Sequence, residues 1–160
     1  MTPSVKPIPD GFNTLSAHIV VPNCVAALEF YAKAFGAETL GRLPGFDGKS
    51  TMHAAMRIGD STLMMTDENL QWGAKSPLTF GGSPVTLHFY VTDADAAYAK
   101  AIQAGCTETM PLGDAFWGDR YGQVRDPFGH LWSIATHRED LTMEEIGVRA
   151  KAAMAAMAKH

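Results

Sequence analysis

Charge is sparse in this sequence and neither sign dominates: 13 Lys and Arg stand against 17 Asp and Glu, for a formal net charge of −4 with six histidines neutral. The basic residues are scattered, with no stripe able to neutralise successive phosphates, so nucleic acid is not an expected partner. No run of about 18 apolar residues occurs, and Met1 to Pro9 lacks the apolar stretch of a secretory signal; no membrane partner is expected, and the cytoplasm is the expected location. Cysteine is nearly absent. Cys24 and Cys106 form no disulfide framework and read as reduced thiols. Walker sequences, nucleotide-binding glycine motifs, a Gly-x-Ser-x-Gly elbow and Cys-x-x-Cys pairs are also missing, and with them the phosphate, hydrolase and dithiol chemistries they carry. What remains is a globular composition, 46% hydrophobic and 19% charged over 160 residues, long enough to bury a core without staples.

The chain repeats itself. Ala17-His18-Ile19-Val20-Val21 has a counterpart 70 residues later in Leu87-His88-Phe89-Tyr90-Val91, and both read as strands carrying one histidine. A polar cap candidate follows each, Asn23 and then Asp93, and an apolar stripe of helical period follows the cap. The stripes are Val25, Leu28, Ala32 and Phe35, and Ala94, Ala97, Ala101 and Ala104, with Gly36 and Gly105 stopping the two helices at the same point. Short strands come next: about 37–42, 50–58 and 61–66 in the first copy, and about 107–112, 121–125 and 130–136 in the second. Gly59-Asp60 and Asp126-Pro127-Phe128-Gly129 are the turns before the last strands. Each half is therefore β-α-β-β-β.

The expected organisation is one α+β domain over residues 1–160, with two tandem βαβββ modules at about 13–67 and 84–138 forming an open, barrel-like curved sheet. A linker at about 68–83, rich in Gly, Ser, Pro and Asn, reads as a plain connection, with Trp72 and Phe80 as the argument for a lid. A C-terminal helix is expected at about 141–159, opened by a Thr142/Glu145 capping box and carrying Met143, Ile146, Ala150, Met154 and Met157 on one face. That face is expected to dock on the chain's own sheet, with a subunit interface as the alternative.

Paired βαβββ modules, a histidine on the first strand of each, and an Asp-Pro-x-Gly turn before the last strand resemble the glyoxalase/bleomycin-resistance/dioxygenase (vicinal oxygen chelate, VOC) superfamily over roughly residues 13–140. The run Phe116-Trp117-Gly118-Asp119-Arg120-Tyr121-Gly122 followed by Val124-Arg125-Asp126-Pro127-Phe128-Gly129-His130 is similar to its PhnB-like branch. In metal-dependent members, the resemblance implies, ligands come from the first and last strands of both modules. His18 and His88 hold the first-strand positions. The last-strand positions, usually Glu in glyoxalase I-type enzymes, fall on Met64 and Ser133. Thioether and hydroxyl replace neither the ligands nor the charge that offset a divalent cation. No cofactor is therefore expected. A divalent metal, if one binds, would use His18 and His88, joined by His53 or His130 if either shares their face.

The resemblance further implies a homodimer and a small-molecule partner held in the cup of the sheet. His18 and His88, at matching positions, are expected to converge on that cup as catalytic candidates, able to act as general base or to hydrogen-bond an oxyanion. Met64, Ser133, Trp117, Arg120 and Tyr121 are the substrate-binding candidates. If residues 116–121 are extended, Trp117, Asp119 and Tyr121 share one face and Arg120 takes the other; Arg120 is then either a carboxylate or phosphate clamp or a scaffold ion pair. The methionines of the first module read mainly as core filler. Three functions follow: a metal-degenerate binder of a small organic molecule, a metal-dependent lyase or dioxygenase, and a non-catalytic sequestering protein.

Overall fold

The computed structural model describes residues 5–157 and divides the chain into two compact units at Ser83/Pro84. The first contains β1 (Ala17–Val21), α1 (Cys24–Phe35), β2 (Glu38–Pro44), β3 (Thr51–Ile58) and β4 (Ser61–Asp67). Its sheet has the order β1-β4-β3-β2, with β1 parallel to β4 and the other pairs antiparallel. The order has a simple cause. The two-residue Gly59-Asp60 turn makes β3 and β4 immediate neighbours, whereas the crossover helix α1 lets β1 lie parallel to a strand that comes much later.

Asn23 caps α1 by accepting from the Ala26 N–H at 2.9 Å, and Gly36 ends it at φ 68°, where a β-carbon would be strained. The buried stripe is Cys24, Ala27, Tyr31 and Ala34, joined by Phe35. It lies one residue before the stripe expected from Val25, Leu28 and Ala32, and Val25 is exposed. Small residues at Ala27 and Ala34 let the helix lie close to Ile19, Ala54, Met56 and Met65, all buried on the sheet. Asp67 ties the layers together, its two oxygens accepting the Cys24 N–H at 2.6 Å and the Thr51 N–H at 2.7 Å.

The second unit repeats the plan with β5 (Thr86–Tyr90), α3 (Ala94–Ala104), β6 (Thr107–Asp114), β7 (Asp119–Arg125) and β8 (Leu131–His137), in the order β5-β8-β7-β6. Asp93 caps α3 through the Ala96 N–H at 2.9 Å. The Asp-Pro-x-Gly turn is built around the buried Asp126 carboxylate, which accepts from the Phe128 and His130 N–H groups and from Trp132 Nε1, each at 2.9 Å. With both four-stranded sheets open, the class is α+β with a C-terminal helix and no closed barrel.

Two expectations need correction. The linker is structured: a 3-10 turn at Leu70–Trp72 and a short helix α2 (Pro77–Phe80) occupy it, and Ser76 and Pro77 are buried. The C-terminal helix α4 (Met143–Met157) forms with its capping box, Thr142 and Glu145 bonding reciprocally, but none of its side chains is buried. Met143, Met154 and Met157 are exposed and Ile146 and Ala150 half-buried, so within its own unit the face expected to dock is at most partly covered. The cysteines are free and buried. Burial raises the Cys24 thiol well above its ordinary range, and burial with the Asp126 charge pushes Cys106 up to about 12, so both stay as protonated packing groups. Among the described residues no helix is long and apolar enough to cross a membrane.

Candidate functional site

Strand alternation gives each sheet one face under its helix and one face away from it. In the first module Ile19, Ala54 and Met65 face α1, so their neighbours in register, His18 on β1 and Met64 on β4, share the opposite face. His53 joins them from β3: its ring lies 6.0 Å from that of His18. Burial first, and the nearby His53 second, lower the pKa of His18 below that of a free imidazole. Neither nitrogen of His18 has a hydrogen-bond partner among the described residues.

His18 also lines a cavity of about 320 Å³, with Phe46, Asp47, Thr66, Glu68 and Trp72 among its walls. This volume lies at the small end of ligand pockets. Phe46 and Trp72 are largely exposed aromatics at its rim. Trp72 thus places the linker at the site, whereas Phe80 stands apart and takes the Lys75 ammonium over its ring at 5.6 Å.

In the second module β5 pairs with β8 so that His88 lies beside Ser133, and β8 pairs with β7 so that Ser133 lies beside Gln123. The Ser133 hydroxyl is buried and bonds His88 Nδ1 at 2.7 Å. Tyr90 and Tyr121 flank the imidazole, with ring centroids at 4.3 and 6.0 Å, and Trp117 meets Tyr121 at 5.1 Å. Asp119 is the polar centre of this face. Only 4% exposed, it accepts from Trp117 Nε1 at 3.0 Å, Tyr90 OH at 3.1 Å and His137 Nδ1 at 2.8 Å. His137 is held between Asp140 and Asp119, which together raise its pKa above the ordinary histidine value, Asp140 contributing more.

The structure therefore brings His88, Ser133, Trp117 and Tyr121 onto one face, and His18 with Met64 onto the matching face of the other module. Of the two roles open to Arg120, it shows the scaffold one. The guanidinium lies on the helix side, paired with Asp95 of α3 at 2.7 Å and with Asp114 at 3.4 Å, so it does not share the face of His88. His130 is likewise part of the Asp126 turn and not of the face. Tyr90, Gln123 and His137 were missed from the sequence. The signal was available for Tyr90, which lies two residues after His88 and so shares its face.

The duplicated frame, with one histidine per first strand set beside the last strand in register, is matched by the profile of the Glyoxalase/Bleomycin resistance protein/Dioxygenase superfamily over residues 12–134. The chain belongs to that superfamily. An uncharacterized protein of Mycobacterium tuberculosis, Rv0887c, is 50% identical over 135 residues, covering 82% of this chain and 79% of that protein. The solved structure of the Arabidopsis thaliana At5g48480 product superposes with a TM-score of 0.61 at 28% identity, over 78% of this chain and 98% of that one. At 15% identity and a TM-score of 0.60, a PhnB protein from Bacillus cereus shares the fold, covering 78% of this chain and 99% of that one.

Superfamily members that use a metal suggest a test of these residues. The register confirms that the positions beside His18 and His88 are held by Met64 and Ser133. Within either module, among the described residues, no three His, Cys, Asp or Glu side chains converge on a point. At these first- and last-strand positions the carboxylates that a hard divalent ion requires are missing, and the residues there do not fit that group.

Proposed function

We propose that this chain is a metal-degenerate member of the superfamily, of the PhnB-like branch, that binds a small, flat, carbonyl-bearing organic molecule. The observation that carries the reading is the first-module cavity: His18, with both nitrogens disengaged, opens onto about 320 Å³ rimmed by Phe46 and Trp72, while the residue beside it is Met64. A lowered pKa leaves this imidazole neutral near pH 7, suited to accept a proton or a hydrogen bond. Metal analysis tests the proposal. Protein purified without a histidine tag is expected to retain no stoichiometric metal after incubation with Ni²⁺, Zn²⁺, Mn²⁺ or Fe²⁺. One equivalent of metal, abolished by His18→Ala, would overturn the reading.

A second reading is a metal-dependent lyase or dioxygenase using His18, His88 and one further donor, for which His53, its ring 6.0 Å from that of His18, is a candidate. That reading predicts turnover of a hemithioacetal or catechol that EDTA stops. A sequestering protein would instead show saturable thermal stabilisation by a ligand recovered unchanged.

The proposal includes a cytoplasmic homodimer, with α4 as part of the contact between copies. Its exposed Met143, Met154 and Met157 are apolar surface without cover. Light scattering of the whole chain is expected to give twice the monomer mass, and truncation at Asp140 to shift it toward monomer. A monomeric full-length chain at micromolar concentration would refute the dimer.

A further inference from the structure

We infer that the open face of the second module is an acceptor-binding site, in which His88 and Tyr121 present two hydrogen-bond donors to an oxygen of a carbonyl, carboxylate or phenolate, with Ser133 as the positioning residue that fixes the His88 tautomer. The inference deepens the small-molecule reading above and rests on it for the presence of a ligand.

The tautomer follows from the inventory of partners. Ser133 is 1% exposed, and among the described residues its hydroxyl has one hydrogen-bond partner, His88 Nδ1 at 2.7 Å. If Nδ1 carried the proton and donated, the serine hydrogen would be a buried donor with nothing to receive it. If the serine donates, only oxygen lone pairs are left unused, a smaller loss than an orphaned donor. The hydroxyl therefore donates, Nδ1 accepts, and the ring proton resides on Nε2. That nitrogen has no partner among the described residues, so the imidazole presents an N–H to whatever enters.

Tyr121 supplies the second donor. Its ring stacks with that of His88 at 6.0 Å and a 24° tilt, and its hydroxyl oxygen accepts from Gln123 Nε2 at 2.7 Å. The phenolic hydrogen is left unused. The neighbouring phenol, Tyr90, differs, since its hydrogen is already given to Asp119. Asp119 itself does not offer a competing acceptor, because both its oxygens are engaged by Tyr90, Trp117 and His137. Trp117, edge-on to Tyr121, adds flat apolar surface suited to an aromatic or conjugated body.

The same logic separates the two histidines of the duplication. Beside His18 stands Met64, which has no proton to donate, and His18 is left with both nitrogens free. A carboxylate at position 133 would accept from Nδ1–H and leave Nε2 bare, as metal ligation requires; serine gives the opposite polarity.

The test uses the full chain labelled with ¹⁵N on histidine. Long-range ¹H–¹⁵N spectra are expected to show His88 protonated on Nε2, Ser133→Ala to lose that preference, and Ser133→Asp to invert it. Benzoate, carrying acceptors only, is expected to shift the His88 and Tyr121 signals, and benzylammonium, carrying donors only, to leave them in place. Ser133→Ala should weaken benzoate by about fivefold to tenfold. Wild-type His88 protonated on Nδ1, or a tautomer unmoved in Ser133→Ala, would overturn the inference without touching the first-module cavity. An Nε2–H tautomer with equal response to both probes, or to neither, would overturn the acceptor class. The wild-type spectrum decides the tautomer even if a variant fails to fold.

Discussion

Asp119→Ala is expected to cost about 2–4 kcal/mol of stability, the range for removing a buried acceptor shared by several donors. Its carboxylate, 4% exposed, holds the Trp117 indole, the Tyr90 phenol and the His137 imidazole, and alanine leaves the first two without a partner. For a chain of this size each kcal/mol corresponds to roughly 2–4 °C in Tm, so a fall of at least about 4 °C in a calorimetric scan is the expected result. Asp119→Asn, which keeps one acceptor oxygen, should lose less. A second reading is available in the same variant. His137 titrates above the ordinary value because Asp140 and Asp119 both favour its charged form, so its contribution to stability is complete below pH of about 6.5 and is lost as pH rises through its folded value. In Asp119→Ala an NMR titration should show His137 moved down toward that reference but still raised by Asp140. His18 has the opposite sign: its lowered pKa contributes stability above about 6.5 that disappears as pH falls through the folded value. An Asp119→Ala protein with unchanged Tm and an unchanged His137 titration would remove Asp119 from the centre of this face.

Gly122→Ala is the second large effect. Gly122 lies on the helix side of β7, where an added β-carbon would stand 2.8 Å from Tyr98 Cε2, 2.9 Å from Leu112 Cα and 3.1 Å from Leu112 N. Two of these three atoms belong to backbone, so relief requires β6 to move, not merely a side chain to turn. Overpacking of this kind costs about 1–3 kcal/mol and sometimes more. The urea midpoint of Gly122→Ala should fall by that free energy divided by the slope, with the slope itself unchanged, whereas Gly41→Ala, at a position open to 4 Å, should be close to neutral in steric terms. Equal midpoints for the two variants would refute the close approach of β6 to β7 at this point.

The repeat was legible because two physical signals agreed in both copies. Asn23 and Asp93 cap, Gly36 and Gly105 terminate, and these polar and left-handed positions tolerate few substitutes. Counting from the turns before β4 and β8 puts the family's last-strand positions on Met64 and Ser133, and the parallel pairing of the first strands, which no turn fixes, sets them beside His18 and His88. The α1 stripe lies one residue earlier than the spacing of Val25, Leu28 and Ala32 suggests, because a second series at the same period, Cys24, Ala27 and Tyr31, runs beside it and periodicity alone does not choose between them. Close approach to the sheet favours the small Cys24 and Ala27 near the start of the helix, while Tyr31 fills the space further along. Arg120 was ambiguous because alternation separates the faces without saying which of them carries the helix; Asp95 on α3 resolves it. The Asp119 cluster was hidden for a different reason. Its partners Tyr90 and His137 come from β5 and β8, and His137 lies one residue past the expected end of the last strand.

Each histidine-bearing strand is parallel to the final strand of its own module and hydrogen-bonds to no other strand there. Ala17 pairs with Leu63 and Thr86 with Leu131, so these strands wait for a partner some 45 residues downstream, while the hairpins between them zip locally. Long-range parallel pairing is slow because chain entropy is lost before contacts reward it. During synthesis His18 emerges early yet has nowhere to anchor until β4 has been made, so the face that carries the histidine is the last part of each half to mature.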